Sequence, residues 1–125
     1  MKELLLTPEG FQLDGRLWLQ GPTDRFMGIG RLELLGHIAT TGSISKAAQA
    51  MGMSYKKAWD LVSSMNAQVK EPLVSTQTGG SHGGGTVLTP AGQRVMVAFQ
   101  AMQTRFQEFM QQETERLLAD NPAFE

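Results

Sequence analysis

Apolar residues recur at helical spacing in the middle of the chain and in short uninterrupted runs at its start. Between 30 and 41, Leu32, Leu34, Leu35, Ile38 and Ala39 fit one face of a helix that Gly42 closes. Ile44–Met51 predicts a second, short helix, capped by Ser43 or Ser45. Ala47 and Ala48 keep its contact face small enough for a neighbouring helix to cross closely. Gly52 supplies the positive φ that ends it, and Ser54 caps a third helix. At about 100° per residue, Ala58, Leu61, Val62, Met65 and Val69 of this third helix share one face. Lys56, Asp60, Ser63 and Ala67 lie opposite, with Lys57 and Trp59 on the flanks. The pattern predicts a helix-turn-helix whose second helix leaves a polar face free.

The flanking segments read differently. Leu4–Leu6, Phe11–Leu13 and Leu17–Leu19 are separated by Pro8-Glu9-Gly10 and Asp14-Gly15, which predicts a small antiparallel β-unit within residues 1–22. Gly21–Asp24 should end that unit. Leu73–Thr76 and Thr86–Leu88 read as two strands around Gly79–Gly85, a run too rich in glycine for an element interior. A hairpin wing over residues 71–89 follows from this. Thr89 and Pro90 open the last helix as N-cap and first residue, and it should run to about Ala119 before Asn121-Pro122. Within it Val95, Phe99, Met102, Phe106 and Phe109 alternate in steps of four and three, a heptad-like seam suited to burial against the N-terminal helix, against the same helix of a second copy, or both, with a homodimer the favoured outcome. The seam fades at Glu113 and Arg116. The expected fold class is α+β, mainly α, in one domain spanning 1–125, with a three-helix core over 30–70, a wing, and a long dimerisation helix over 90–119.

Composition narrows the chemistry. There is no cysteine, which excludes a disulfide framework, thiolate metal sites and cysteine nucleophiles. His37 and His82 have no partner at metal-ligand spacing, so no metal site is expected, and no cofactor. The glycine run lacks the Gly-Lys-Ser/Thr of a phosphate-binding enzyme loop, and no catalytic residues are expected. No long apolar run follows a basic start, so no membrane association is expected and the cytoplasm is the expected compartment.

Net charge is −1, but it is unevenly spread. Arg31, Lys46, Lys56, Lys57, Lys70 and Arg94 oppose only Glu33, Asp60 and Glu71 in the middle of the chain, while the last segment is acidic. A basic centre around a helix-turn-helix points to double-stranded DNA. Ser54, Tyr55 and Lys56 are the first candidates for base edges, and Lys46, Lys56, Lys57 and Arg94 for phosphates. Ser43, Ser45 and Asp60 complete that polar face, and Ser81 and His82 would act from the wing.

The residues 42–59 (GSISKAAQAMGMSYKKAW), Met65-Asn66, the 79–85 run and 88–93 (LTPAGQ) resemble, in order and spacing, the DNA-binding domain of ModE-type molybdate-responsive regulators. More distantly they resemble the N-terminal domain of LysR-type regulators. The resemblance implies a winged helix-turn-helix that dimerises and binds DNA through 54–60 and the wing. It is expected to cover the DNA-binding half without the β-barrel oxyanion-binding domains, since no Ser-Ala-Arg-Asn-Gln-type motif is present. Molybdate as an effector rests on the resemblance alone. Two alternatives to the DNA-binding regulator stand beside it. One is a protein-interaction module on the same scaffold, docking through its acidic last helix. The other is a regulator that senses molybdate or another oxyanion directly.

Overall fold

The computed structural model describes residues 1–77 and 85–119. The predicted wing tip, with Ser81 and His82, and the predicted stop at Asn121-Pro122 lie outside the described residues. The chain divides into two compact units, one of Trp18–Gln100 and one of Met1–Leu17 with Ala101–Glu125.

The larger unit opens with a hairpin, β1 (Trp18–Gln20) and β2 (Arg25–Gly28), paired antiparallel with Leu19 opposite Met27 and a bulge between Leu19 and Gln20. Three helices follow: α1 (Ile29–Thr41), α2 (Ile44–Ala50) and α3 (Tyr55–Ala67). A second antiparallel ribbon, β3 (Val74–Gln77) with β4 (Gly85–Leu88), leads into α4 (Pro90–Leu117). This is the predicted α+β, mainly helical, winged-helix architecture.

Local chemistry sets the joints. Gly42 takes a left-handed φ of 68° and its N–H donates to Ile38 O at 2.8 Å, ending α1. Of the two candidate serines it is Ser43 that caps α2, accepting from Lys46 N at 3.1 Å. Gly52, at φ 65°, stands where α2 ends. Its N–H reaches Gln49 O and the Met53 N–H reaches Ala48 O, the paired bonds of a Schellman stop. Ser54 then accepts from Lys57 N at 3.0 Å and starts α3. Ala47, Ala48 and Ala58 are all buried where α2 and α3 pack, as the small-residue spacing requires. Met27, Leu34, Leu35, Ile38, Val62, Met65, Leu73 and Phe99 complete the core of this unit.

Polar clamps tie the elements together. Asn66 on α3 accepts from Leu73 N at 2.8 Å and donates to Val74 O at 2.9 Å, holding the ribbon to the helix. Thr89 caps α4 by accepting from Gly92 N at 3.0 Å. On the other side, Ser64 donates to Asp24, and Arg31 reaches both Ser64 (3.0 Å) and Asp24 (3.5 Å). Asp24 is consequently held below the ordinary aspartate value of 3.8, first by the Ser64 hydroxyl, then by the Arg25 N–H, with Arg31 adding to both. A carboxylate whose pKa is lower in the folded than the unfolded state stabilises the fold above the unfolded value and stops doing so as pH falls through the folded one. Asp24→Asn should therefore lower the urea midpoint at neutral pH. The gap to the wild type should close as pH drops below 3.8, and a gap independent of pH would refute the linkage.

The smaller unit corrects the first part of the sequence reading. Residues 1–17 contain no strand, only short 3-10 turns at Lys2–Leu4 and Pro8–Gly10. Asp14-Gly15 is not a hairpin turn; the hairpin turns instead at Gly21–Asp24, closed by Gly21 N to Asp24 O at 2.8 Å. The reason is competition from the end of α4. Leu13 N donates to Thr114 Oγ1 at 2.7 Å, and a Cβ on Gly15 would sit 3.4 Å from the Phe106 ring. The segment lies along the helix and leaves no strand to pair with.

Candidate nucleic-acid interface

The start of α3 is open to solvent. Ser54, Tyr55, Lys56, Lys57, Trp59, Asp60 and Ser63 are exposed, while Ala58, Val62 and Met65 face the core. The helix wheel read from the sequence is reproduced over Tyr55–Ala67, with Leu61 half-buried; Val69, expected on the same face, lies beyond the end of α3. No acidic residue stands in the first turn of α3; Lys56 is paired with Asp60 one turn further on, and Lys57 has no acidic partner among the described residues. Two lysines at the positive end of a helix dipole do not help the helix. They place cationic donors where a polyanion meets the N-terminus.

Beside this start lies an open cleft of about 290 Å³, lined by Gly42, Ser43, Ile44, Ser45, Tyr55, Thr76, Gln77, Gly85 and Thr86. It brings the entrance of α2, the first residue of α3 and the outer end of the β3–β4 ribbon to one face. The packing that builds it is specific: Thr86 N donates to Gly42 O at 3.0 Å, so the α1–α2 turn anchors β4. Lys46, exposed in the first turn of α2, belongs to the same end of the motif.

The predicted site residues are therefore not all together. Ser43, Ser45 and Tyr55 line the cleft, and Ser54, Lys46, Lys56, Lys57 and Asp60 are grouped on the two motif helices that border it. Lys56 Nζ and Asp60 Oδ2 form an exposed pair at 3.0 Å. Arg94 stands apart. It lines a different cleft with Val69, Lys70, Glu71, Leu73, Ala91, Val95 and Ala98, beyond the opposite end of α3. Thr76, Gln77 and Thr86 also line the cleft, and their sequence carries no signal of it. Strand alternation alone does not say that a ribbon edge will border a helix entrance.

The seam residues also separate. Phe99 is 2 % exposed and belongs to the core of the larger unit, whereas Phe109 is 53 % exposed. Val95, Met102 and Phe106 are half-buried. His37 is half-buried in α1, and among the described residues no group of three His, Cys, Asp or Glu is placed to hold a metal ion. Among the described residues no helix is long and apolar enough to cross a membrane.

Known proteins share this motif. The molybdenum-pterin-binding protein MopB of Rhodobacter capsulatus is 49% identical over 77 residues, 62% of this chain and 28% of its own. The molybdenum transport protein ModE of Azotobacter vinelandii is 41% identical over 87 residues, 70% of this chain and 32% of its own. The DNA-binding transcriptional dual regulator ModE of Escherichia coli (strain K12) is 52% identical over 66 residues, 53% of this chain and 25% of its own. The chain thus spans about a quarter to a third of the length of these curated relatives. Residues 29–93, from the start of α1 into the first turn of α4, match the family described as bacterial regulatory helix-turn-helix protein, lysR family, and this chain belongs to it.

Proposed function

We propose that the chain is a sequence-specific, DNA-binding transcriptional regulator that works in the cytoplasm as a homodimer. The start of α3 enters the major groove and the β3–β4 ribbon lies against the backbone or minor groove. The observation that carries this reading is the exposed start of α3, with Lys56 and Lys57, beside the cleft bounded by α2 and the ribbon. A regulator family match over the same residues supports it.

Lys46 and Lys57 make phosphate contacts in this reading. Each of Lys46→Ala and Lys57→Ala should make the dependence of log K on log salt shallower by about 0.9. Titrations of a duplex at several salt concentrations measure this; an unchanged slope in both variants removes them from the interface. Absence of duplex binding at low salt, where non-specific binding is strongest, would leave the interaction-module reading in its place.

The dimer uses exposed apolar surface of the smaller unit. Leu4, Leu6, Phe11, Leu13 and Phe109 are all large and exposed there. Phe99, buried in its own chain, is not part of the interface. Phe109→Glu should shift the sedimenting species from dimer to monomer; a wild-type profile would argue against this face. The molybdenum in the relatives' names makes molybdate and tungstate the effectors to try, by calorimetry on the full chain.

A further inference from the structure

Lys56, Asp60, Ser63 and Ala67 form a single outward row on α3, spaced by four, three and four residues and exposed throughout. The row carries one cation and one anion, joined at 3.0 Å. The pair adds little as a helix-stabilising device. Exposed ion pairs contribute about 0–1 kcal/mol, and a lysine preceding its acid along the chain is the less favourable order against the helix dipole. A carboxylate in the middle of a DNA-facing row also repels phosphates. In a row that faces DNA, the base-edge groups it can engage are hydrogen-bond donors.

We infer that Lys56 and Asp60 act as one readout unit for a G·C base pair in the major groove, a role that rests on the DNA-binding reading above. The major-groove edge of G·C presents two acceptors, N7 and O6 of guanine, followed by a donor, N4 of cytosine. Guanine O6 and cytosine N4 are hydrogen-bonded to each other, so they stand about 2.9 Å apart. The Lys56 donor and the Asp60 acceptor are separated by a matching 3.0 Å. Lysine has three donors and the carboxylate two oxygens, so each keeps capacity after bonding the other. Lys56 gives to O6 and N7 while Asp60 Oδ accepts from N4, and the two side chains are already hydrogen-bonded to each other in the free protein. Because the charges cancel, the pair adds sequence preference and almost no phosphate attraction. Lys46 and Lys57, which have no acidic partner among the described residues, carry the phosphate attraction.

Selection from a random-sequence duplex pool with the full chain, followed by salt titrations on the selected site, tests this. Wild type should enrich a half-site with at least one invariant G·C pair. Asp60→Ala, which removes the acceptor, should flatten the preference at one such pair by about tenfold, within the range of a good base contact. Asp60→Ala should steepen the salt slope by about 0.9, as Lys56 is released to a phosphate. Lys56→Ala should flatten the same position with the slope nearly unchanged. Preferences in Asp60→Ala identical to wild type, or a shift confined to an A·T position, would overturn the assignment and leave DNA binding itself standing. No duplex enriched by the wild type would overturn both.

Discussion

Gly92→Ala should destabilise the protein by roughly 2–3 kcal/mol, the scale of an overpacked core. The sign is the point. Glycine within a helix is ordinarily worse than alanine by about 1 kcal/mol, so Gly92, in the first turn of α4, looks like a site for improvement. In the fold a Cβ there would stand 2.3 Å from Leu73 O and 2.5 Å from Leu88 Cδ1. The Leu88 side chain has some freedom to turn away. The Leu73 carbonyl does not, because it accepts from Thr89 N at 2.9 Å and Thr89 Oγ1 at 3.1 Å. Relief therefore requires α4 to lift from the β3–β4 ribbon and gives up the Thr89 cap. Urea unfolding measures the effect as a lower midpoint with little change in slope. Gly30→Ala is the control: it sits in α1 with nothing within 4 Å of its Cβ position and should be neutral or mildly stabilising. A raised midpoint for Gly92→Ala would show that the ribbon yields easily.

Asn66→Ala should cost about 2–3 kcal/mol, by stranding buried backbone groups. The Asn66 amide accepts from Leu73 N and Val74 N and donates to Val74 O. Leu73 and Val74 are 1% and 3% exposed, so water cannot replace the lost partners without opening the core. The alanine has no reach to either group. The ribbon should also lose its fixed position against α3. A duplex titration should then show weaker binding than for a surface variant of equal helix content by circular dichroism. Stability within about 0.5 kcal/mol of wild type, the range of an ordinary surface change, would show that the clamp is dispensable.

Both predictions concern residues that sequence spacing treats as ordinary. Gly92 reads as a small residue near a helix start, and Asn66 as a polar position near a helix end. What makes them critical is a neighbour distant in the chain. The same holds for Asp24, Arg31 and Ser64, joined across the hairpin, α1 and α3. Arg94 shows the converse: its charge suggested DNA, yet the fold sets it beside Lys70 and Glu71, away from the motif entrance. Charge is visible in a sequence, but the face it occupies is not. Phe99 and Phe109 share one heptad pattern and differ in burial because only one of them meets its own chain's core. The sequence misled most over residues 1–17, where Asp14-Gly15 has the right local chemistry for a hairpin. A turn signal needs two strands that prefer each other, and here the apolar run lies against the end of α4 instead.

The sequence by itself determined the helix-turn-helix, its stops and its free face. Those depend on interactions within a few residues: the Ser54 cap, the positive φ at Gly42 and Gly52, and the periodic burial of Ala58, Val62 and Met65. Such terms are nearly independent of context, so a pattern suffices to read them. Only the tertiary structure decided where the ribbon sits, which cations share a face and which seam residues stay open. Those outcomes depend on the packing of segments far apart in the chain, where several local solutions compete and the buried contacts select one.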